Sequence, residues 1–236
     1  MANSYAGLAD HYDLIMTSGY YDYDAYAEDL LSRIGEHRDL LELGVGTGLV
    51  CERLLEREPP GLQITGIDHT ESMLARARTR LGGRVRLIEQ DIVDAAPPHG
   101  FDVAYSVGGI WYCVHDQGRT WLGSHLVDEA ENVKGLENLA AALRPGGVLL
   151  LAVQEAHRPY RRPLSNGLVY AQDVQTDGDG RFTKDYLVMR ENTVVARQRL
   201  GYRLYPEKQA DQLLEACGFR LEPDGANGLF RQYLRV

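Results

Sequence analysis

Glu42-Leu43-Gly44-Val45-Gly46-Thr47-Gly48 follows the apolar run Asp39 to Leu43 and precedes a helical pattern that begins at Leu49. A strand that runs into glycines at alternate positions and then into a helix lets a ligand press on backbone where a side chain would block it. The helix start adds free N–H groups and the positive end of a dipole, which suits a carboxylate or a phosphate. The dinucleotide fingerprint needs glycines at first, third and sixth positions. Here the sixth is Leu49, so G-x-G-x-G preceded two residues earlier by an acid is a different pattern.

Outward from this loop the same grammar repeats. Leu49 to Glu58 has helical periodicity and stops at Pro59-Pro60. Leu62 to Ile67 predicts a second strand, Glu71 to Leu81 a second crossover helix, Val85 to Ile88 a third strand and Phe101 to Ser106 a fourth. Leu136, Leu139, Ala140 and Leu143 mark a helix closed by Pro145-Gly146-Gly147, and Val148 to Val153 is a fifth, buried strand. Before the loop, Ala27, Leu30, Leu31 and Ile34 make the apolar face of a helix between Tyr23 and Glu36. Strands alternating with helices predict a doubly wound, mostly parallel α/β sheet, with ligands outside the carboxyl ends of its strands.

After Val153 the pattern becomes antiparallel. Leu168 to Thr176, Arg181 to Arg190 and Thr193 to Tyr205 read as strands joined by Asp177-Gly178-Asp179-Gly180 and Glu191-Asn192. Pro206 opens a helix at its first position, which runs to about Cys217, and Phe219 to Leu221 with Gly228 to Val236 forms a closing hairpin. The expectation is one domain: a helical cap over 1–38, a core over 39–153, an antiparallel insertion over 166–205 after the fifth strand, and a closing helix and hairpin over 206–236.

Composition bounds the partners. The 236 residues are 44% apolar and 25% charged, which is ordinary globular usage. Net charge is −9, which argues against broad binding to nucleic acid or to anionic membrane. Residues 1–156 carry 12 Lys+Arg against 24 Asp+Glu, and residues 157–236 carry 13 against 10, so an anionic partner would meet the second part. Cys51, Cys113 and Cys217 form no CxxC pair, so no disulfide framework or zinc site is indicated. No apolar run reaches membrane length and the N-terminus lacks a signal-peptide pattern, so a cytoplasmic protein is expected.

Two further strand ends carry acids. Ile67-Asp68 places a carboxylate where it accepts hydrogen bonds from both hydroxyls of a ribose, or caps the following helix. Glu89-Gln90-Asp91-Ile92 places another where it accepts from an adenine amino group while the next N–H meets a ring nitrogen. Three successive strand ends thus offer partners for a charged tail, a ribose and an adenine.

On these residues the sequence resembles the class I S-adenosylmethionine-dependent methyltransferases. The matching pieces are LLELGVGTG (40–48), ITGIDHTESML (64–74), IEQDIVD (88–94), FDVAYS (101–106) and LRPGGVLLLAV (143–153). The resemblance implies a Rossmann-like seven-stranded sheet, with S-adenosylmethionine as cofactor and S-adenosylhomocysteine as product. It implies that Glu42, Gly44, Gly46 and Gly48 surround the methionine part, Asp68 takes the ribose, Asp91 and Ile92 take the adenine, and Ser106 also binds the cofactor. Tyr12-Asp13-Leu14, Asp22-Tyr23 and the stretch Tyr186 to Glu207 more loosely resemble bacterial small-molecule N-methyltransferases acting on nucleotide-linked amino sugars. In such enzymes the leading segment folds over the cofactor, which makes Tyr12 the first candidate to reach it.

Methyl transfer from a sulfonium is an in-line displacement in which the protein mainly aligns the reactants. Val107 to Asp116, read as the loop after the fourth strand, gathers Trp111, Tyr112 and His115. Trp111 is expected to wall the acceptor pocket. His115 has the pKa range of a general base, whereas the histidine of the resembling enzymes aligns nearer Tyr112; the base is His115, Tyr112 or no residue at all. His157, Tyr160 and Arg161, after the fifth strand, either bind an anionic acceptor such as a nucleotide diphosphate or a carboxylate, or belong to a solvated basic loop. A metal is not expected, because acids do not cluster at the fourth and fifth strand ends.

The reading is therefore a methyltransferase for a small metabolite, nitrogen first among acceptors and oxygen or carbon next. Its rival is a cofactor-binding protein that moves no methyl. The antiparallel insertion either covers the site, makes a homodimer interface or simply extends the sheet.

Overall fold

Asp22 begins the ordered alternation by accepting a 3.0 Å hydrogen bond from the Ala25 N–H, which caps helix α2 (Tyr23–Ile34). The computed structural model describes residues 4–57, 61–98, 100–223 and 228–236. A one-turn helix, α1 (Tyr12–Met16), precedes α2. There follow β1 (Asp39–Leu43), α3 (Leu49–Glu56), β2 (Gln63–Asp68), α4 (Glu71–Leu81), β3 (Arg86–Glu89) and β4 (Phe101–Ser106). Next come β5 (Trp111–Asp116), β6 (Arg119–Ser124), α5 (Glu129–Ala142) and β7 (Leu143–Glu155). The chain closes with β8 (Tyr160–Pro163), β9 (Val169–Thr176), β10 (Arg181–Arg190), β11 (Thr193–Pro206), α6 (Glu207–Ala216), β12 (Phe219–Leu221) and β13 (Phe230–Arg235).

The strands β3-β2-β1-β4-β7 are parallel neighbours in that order, and β13 joins β7 antiparallel with β12 outside it. These are the seven strands of the expected α/β sheet. Leu149, Leu150 and Leu151 of β7 are buried on both faces, as a central strand covered on two sides must be. Leu30 of α2, Leu54 of α3 and Leu74 of α4 fill one face, while Leu136 and Leu139 of α5 and Leu214 of α6 fill the other.

β7 outruns its neighbours, and its last residues Val153 to Glu155 pair in parallel with β5. From there β5-β6-β11-β10-β9-β8 continues as an antiparallel sheet. This extension includes β5 and β6, which precede β7 in the chain, so it starts earlier than the insertion expected after the fifth strand. The Trp111–Asp116 segment is a strand rather than a loop, because Tyr112, Val114 and their hairpin partners in β6 have buried faces to satisfy. Pro206 is the residue before α6, with φ −54° and ψ 149°, not its first helical residue. The expected helix end at Glu58 and Pro59-Pro60 lies outside the described residues. All three cysteines are free and buried. No described helix is long and apolar enough to cross a membrane.

Candidate active site

The three glycines after β1 do different work. All have positive φ: 69° at Gly44, 55° at Gly46 and 82° at Gly48. A Cβ on Gly44 would stand 2.9 Å from the Gly109 Cα, and one on Gly48 would stand 2.7 Å from Leu81 Cδ1. These two glycines therefore admit protein: the β4–β5 turn in one case and the packing of α4 in the other. Only at Gly46 is there room, with Met73 Cε at 3.6 Å and the Tyr12 hydroxyl at 3.9 Å from the Cβ position. Tyr12 thus covers the loop. Next to it Asp13 accepts from Thr47 Oγ1 and from Arg80 Nη2, both at 2.5 Å, and so clamps α1 to the glycine loop.

Asp68, at the end of β2, takes the Gly46 N–H on one oxygen at 2.9 Å and the Thr70 N–H on the other at 2.8 Å. Burial raises its pKa, and these backbone donors pull it back. Both oxygens keep a second acceptor direction. Asp91 follows β3 and accepts from the Val93 N–H at 2.9 Å, which fixes the turn that carries Ile92. Gly44, Asp68, Asp91 and Ile92 line one cavity of about 230 Å³, together with Ile110 and His125. This donor and acceptor set fits a nucleoside: two carboxylates at adjacent strand ends, an apolar side chain and open backbone at Gly46.

Glu42 lies below the loop, not in the cavity. Its carboxyl is 3% exposed and accepts from Cys51 Sγ at 2.7 Å and Tyr105 OH at 2.9 Å. Burial pushes its pKa up to about 7, against those two hydrogen bonds. Ser106 is buried, with its hydroxyl 3.4 Å from the Leu43 carbonyl oxygen.

The acceptor-side expectations change more. His115 is exposed at the far end of β5, 3.3 Å from the Thr120 hydroxyl, and is not on the cavity. Strand alternation sends Trp111 to the opposite face from Tyr112, where its indole N–H donates to Asn132 Oδ1 at 2.8 Å among the residues packed on α5. Trp111 is core, not pocket wall. Arg161 is exposed on β8, and Tyr160 lines a separate groove. Tyr112 and His157 do come together, hydroxyl to Nε2 at 3.4 Å, in a buried aromatic cluster beneath the N-terminal segment.

The residue missed is His125. Its backbone N–H donates to the Ile110 carbonyl at 2.9 Å, and its ring lies 4.6 Å from Tyr202 and 5.8 Å from Tyr112, centroid to centroid. It lines the cavity while touching the tyrosine cluster, and burial lowers its pKa to about 3. It follows β6, a strand with no motif, and strand-end position is the signal that would have found it.

Comparison with known proteins agrees with this geometry. Residues 40–147 match the family model described as a methyltransferase domain. Over that span the chain is similar to a methyltransferase domain. The chain is 34% identical over 131 residues to a trans-aconitate 2-methyltransferase of Rhodopseudomonas palustris, covering 55% of this chain and 44% of that one. It is 30% identical over 152 residues to an uncharacterized methyltransferase of Geobacillus kaustophilus, covering 64% and 62%. The chain thus spans less than half the length of the first relative and under two thirds of the second. Among solved structures it shares the fold of CalS10, an amino pentose methyltransferase from Micromonospora echinaspora, with TM-score 0.70 and 22% identity over 95% of this chain and 96% of that one. It also shares the fold of DesVI from Streptomyces venezuelae, with TM-score 0.71 and 22% identity over 97% of each chain.

Proposed function

We propose that the protein transfers a methyl group to a small metabolite, with an amine nitrogen as acceptor, on an amino sugar or another secondary metabolite. The observation that carries this reading is the single cavity lined by Gly44, Asp68, Asp91, Ile92 and His125. S-adenosylmethionine, when bound, supplies an activated methyl group. Asp68 would hold its ribose, Asp91 and the Ile92 backbone its adenine, and the open backbone at Gly46, under Tyr12, its methionine part. The similarity of both halves of the chain to the amino pentose methyltransferase fold supports the nitrogen acceptor. The resemblance to enzymes named for trans-aconitate supports a second reading, an oxygen acceptor on an acid, but it spans only 55% of this chain.

Within this reading His125 orients the acceptor. Burial keeps its imidazole neutral at physiological pH, so a ring nitrogen can accept a hydrogen bond from the acceptor N–H and align the lone pair. Full protonation opposes the same burial, so the proton released on methylation leaves to solvent rather than resting on the ring. The test is release of S-adenosylhomocysteine against a panel of amino sugars, amino acids and phenols. With the acceptor found, His125→Ala should lower kcat at least tenfold, by more than it weakens binding of S-adenosylhomocysteine, and His115→Ala should leave kcat as it is. No turnover with any amine, or full turnover in His125→Ala, would overturn the assignment.

A further inference from the structure

Lys184 is 0% exposed, and the residue beside it shows why this is unusual. On β10, Phe182, Lys184, Tyr186 and Val188 share the inward face. Asp185 points the other way and is taken by Arg197 at 3.0 Å and Arg199 at 2.5 Å. Lys184 is therefore separated from the acid next to it. Its Nζ donates to the Tyr20 hydroxyl, lies 3.2 Å from His157 Nδ1, and sits 4.4 Å from the Tyr186 ring centroid. Among the described residues it has no ion pair with a carboxylate. A buried ammonium without a counter-charge is costly, and burial accordingly lowers the amine's pKa.

A second, independent feature leads to the same place. A groove of about 600 Å³, sharing no lining residue with the cavity of Asp68 and Asp91, is lined by Tyr20 and His157, the two residues that hold Lys184. Arg162 also lines it, and its Nη1 donates to the Ser18 carbonyl at 2.7 Å without an acid partner among the described residues. Two carboxylates line the groove as well: Asp22, spent on the Ala25 N–H, and Glu155. Arg158 also lines it and is paired with Asp116, so Arg162 is the arginine of the groove left without an acid partner among the described residues.

We propose that Lys184, with His157 and Tyr20, is the docking point for an acidic group on the acceptor, a carboxylate or a phosphate, that enters through this groove. That the anion belongs to a methyl acceptor rests on the proposed methyltransferase function, but the anion site itself does not. The anion accepts hydrogen bonds from Nζ and from the Tyr20 hydroxyl, and the amine takes up a proton as the charge arrives. Arg162 draws the anion in from the wall.

The test is isothermal calorimetry of the whole chain with inorganic phosphate and with succinate at pH 8. Titrations are run with and without S-adenosylhomocysteine, in two buffers of different ionisation enthalpy. The expected result is binding of at least one of the two anions with net proton uptake. Lys184→Met and Lys184→Gln should each bind that anion at least tenfold more weakly and without proton uptake, with unchanged affinity for S-adenosylhomocysteine. Lys184→Gln keeps a donor for the Tyr20 hydroxyl, so it serves if the methionine variant does not fold. No binding of either anion to the unaltered protein, or equal binding by the folded variants, would overturn the proposal. Neither outcome depends on whether a methyl group is transferred.

Discussion

Glu42 makes stability depend on pH in a direction opposite to most carboxylates. Its pKa stands at about 7 in the folded chain against an ordinary 4.5, and burial is the first cause. Between those two values the folded state keeps a proton that the unfolded state releases. Stability from this group is therefore full below 4.5 and falls as pH rises through about 7. Integrated from pH 5 to pH 8, the loss is about 2.5 kcal/mol. Other groups titrate over the same range, so the decisive quantity is the difference between the unaltered protein and Glu42→Gln, which cannot titrate but still fills the space between Cys51 and Tyr105. Urea unfolding of both without cofactor, at pH 5, 6.5 and 8, gives that difference. The glutamine variant should gain about 2.5 kcal/mol on the unaltered protein between pH 5 and pH 8. A difference that is flat, or that moves the other way, would show that Glu42 is ionised in the folded state and that the account of its burial is wrong.

Three further outcomes follow from the site. Asp68→Ala removes acceptors for two ribose hydroxyls and the anchor of Gly46, so affinity for S-adenosylhomocysteine measured by calorimetry should fall roughly a hundredfold or more; unchanged affinity would remove Asp68 from the site. Asp13→Ala breaks the clamp between α1 and the glycine loop, a partly exposed contact, and should weaken cofactor binding by about tenfold while leaving the core folded by circular dichroism. With a neutral His125, the pH profile of kcat/KM should follow the acceptor amine and show no limb near the ordinary histidine value of about 6.5; a limb there that vanishes in His125→Ala would mean the ring takes the proton.

The cavity proposed for the cofactor was legible in the sequence because its information is local. Each of Gly46, Asp68 and Asp91 sits at the end of a strand whose apolar pattern can be read on its own, and parallel pairing brings the ends together without any further choice. Even there, one thing was hidden. Gly44 and Gly48 are glycines because Gly109 and Leu81 approach them, and those approaches join residues far apart in the chain. The closing elements α6, β12 and β13 were legible for the same local reason, while β5 and β6 were not. Trp111-Tyr112-Cys113-Val114 reads equally as an aromatic pocket or as a buried strand, and only its pairing with β7 and β6 decides.

The proposed acceptor side resists local reading because no single segment owns the buried aromatic cluster. Tyr20 comes from the leading residues, Tyr112 and His125 from the hairpin before α5, His157 from the stretch after β7, and Lys184, Tyr186 and Tyr202 from the antiparallel extension. Their partners lie far apart in the chain: 16 residues in the Tyr186–Tyr202 contact between β10 and β11, and 164 in the contact of Lys184 with Tyr20 of the leading segment. One local trace did exist. In Phe182-Thr183-Lys184-Asp185-Tyr186-Leu187-Val188, strand parity puts Lys184 on the face of Phe182, Tyr186 and Val188, while its acid neighbour takes the other. A lysine on the apolar parity of an inner strand must be neutral, paired or waiting for an anion, and parity alone would have raised that question before any contact was known.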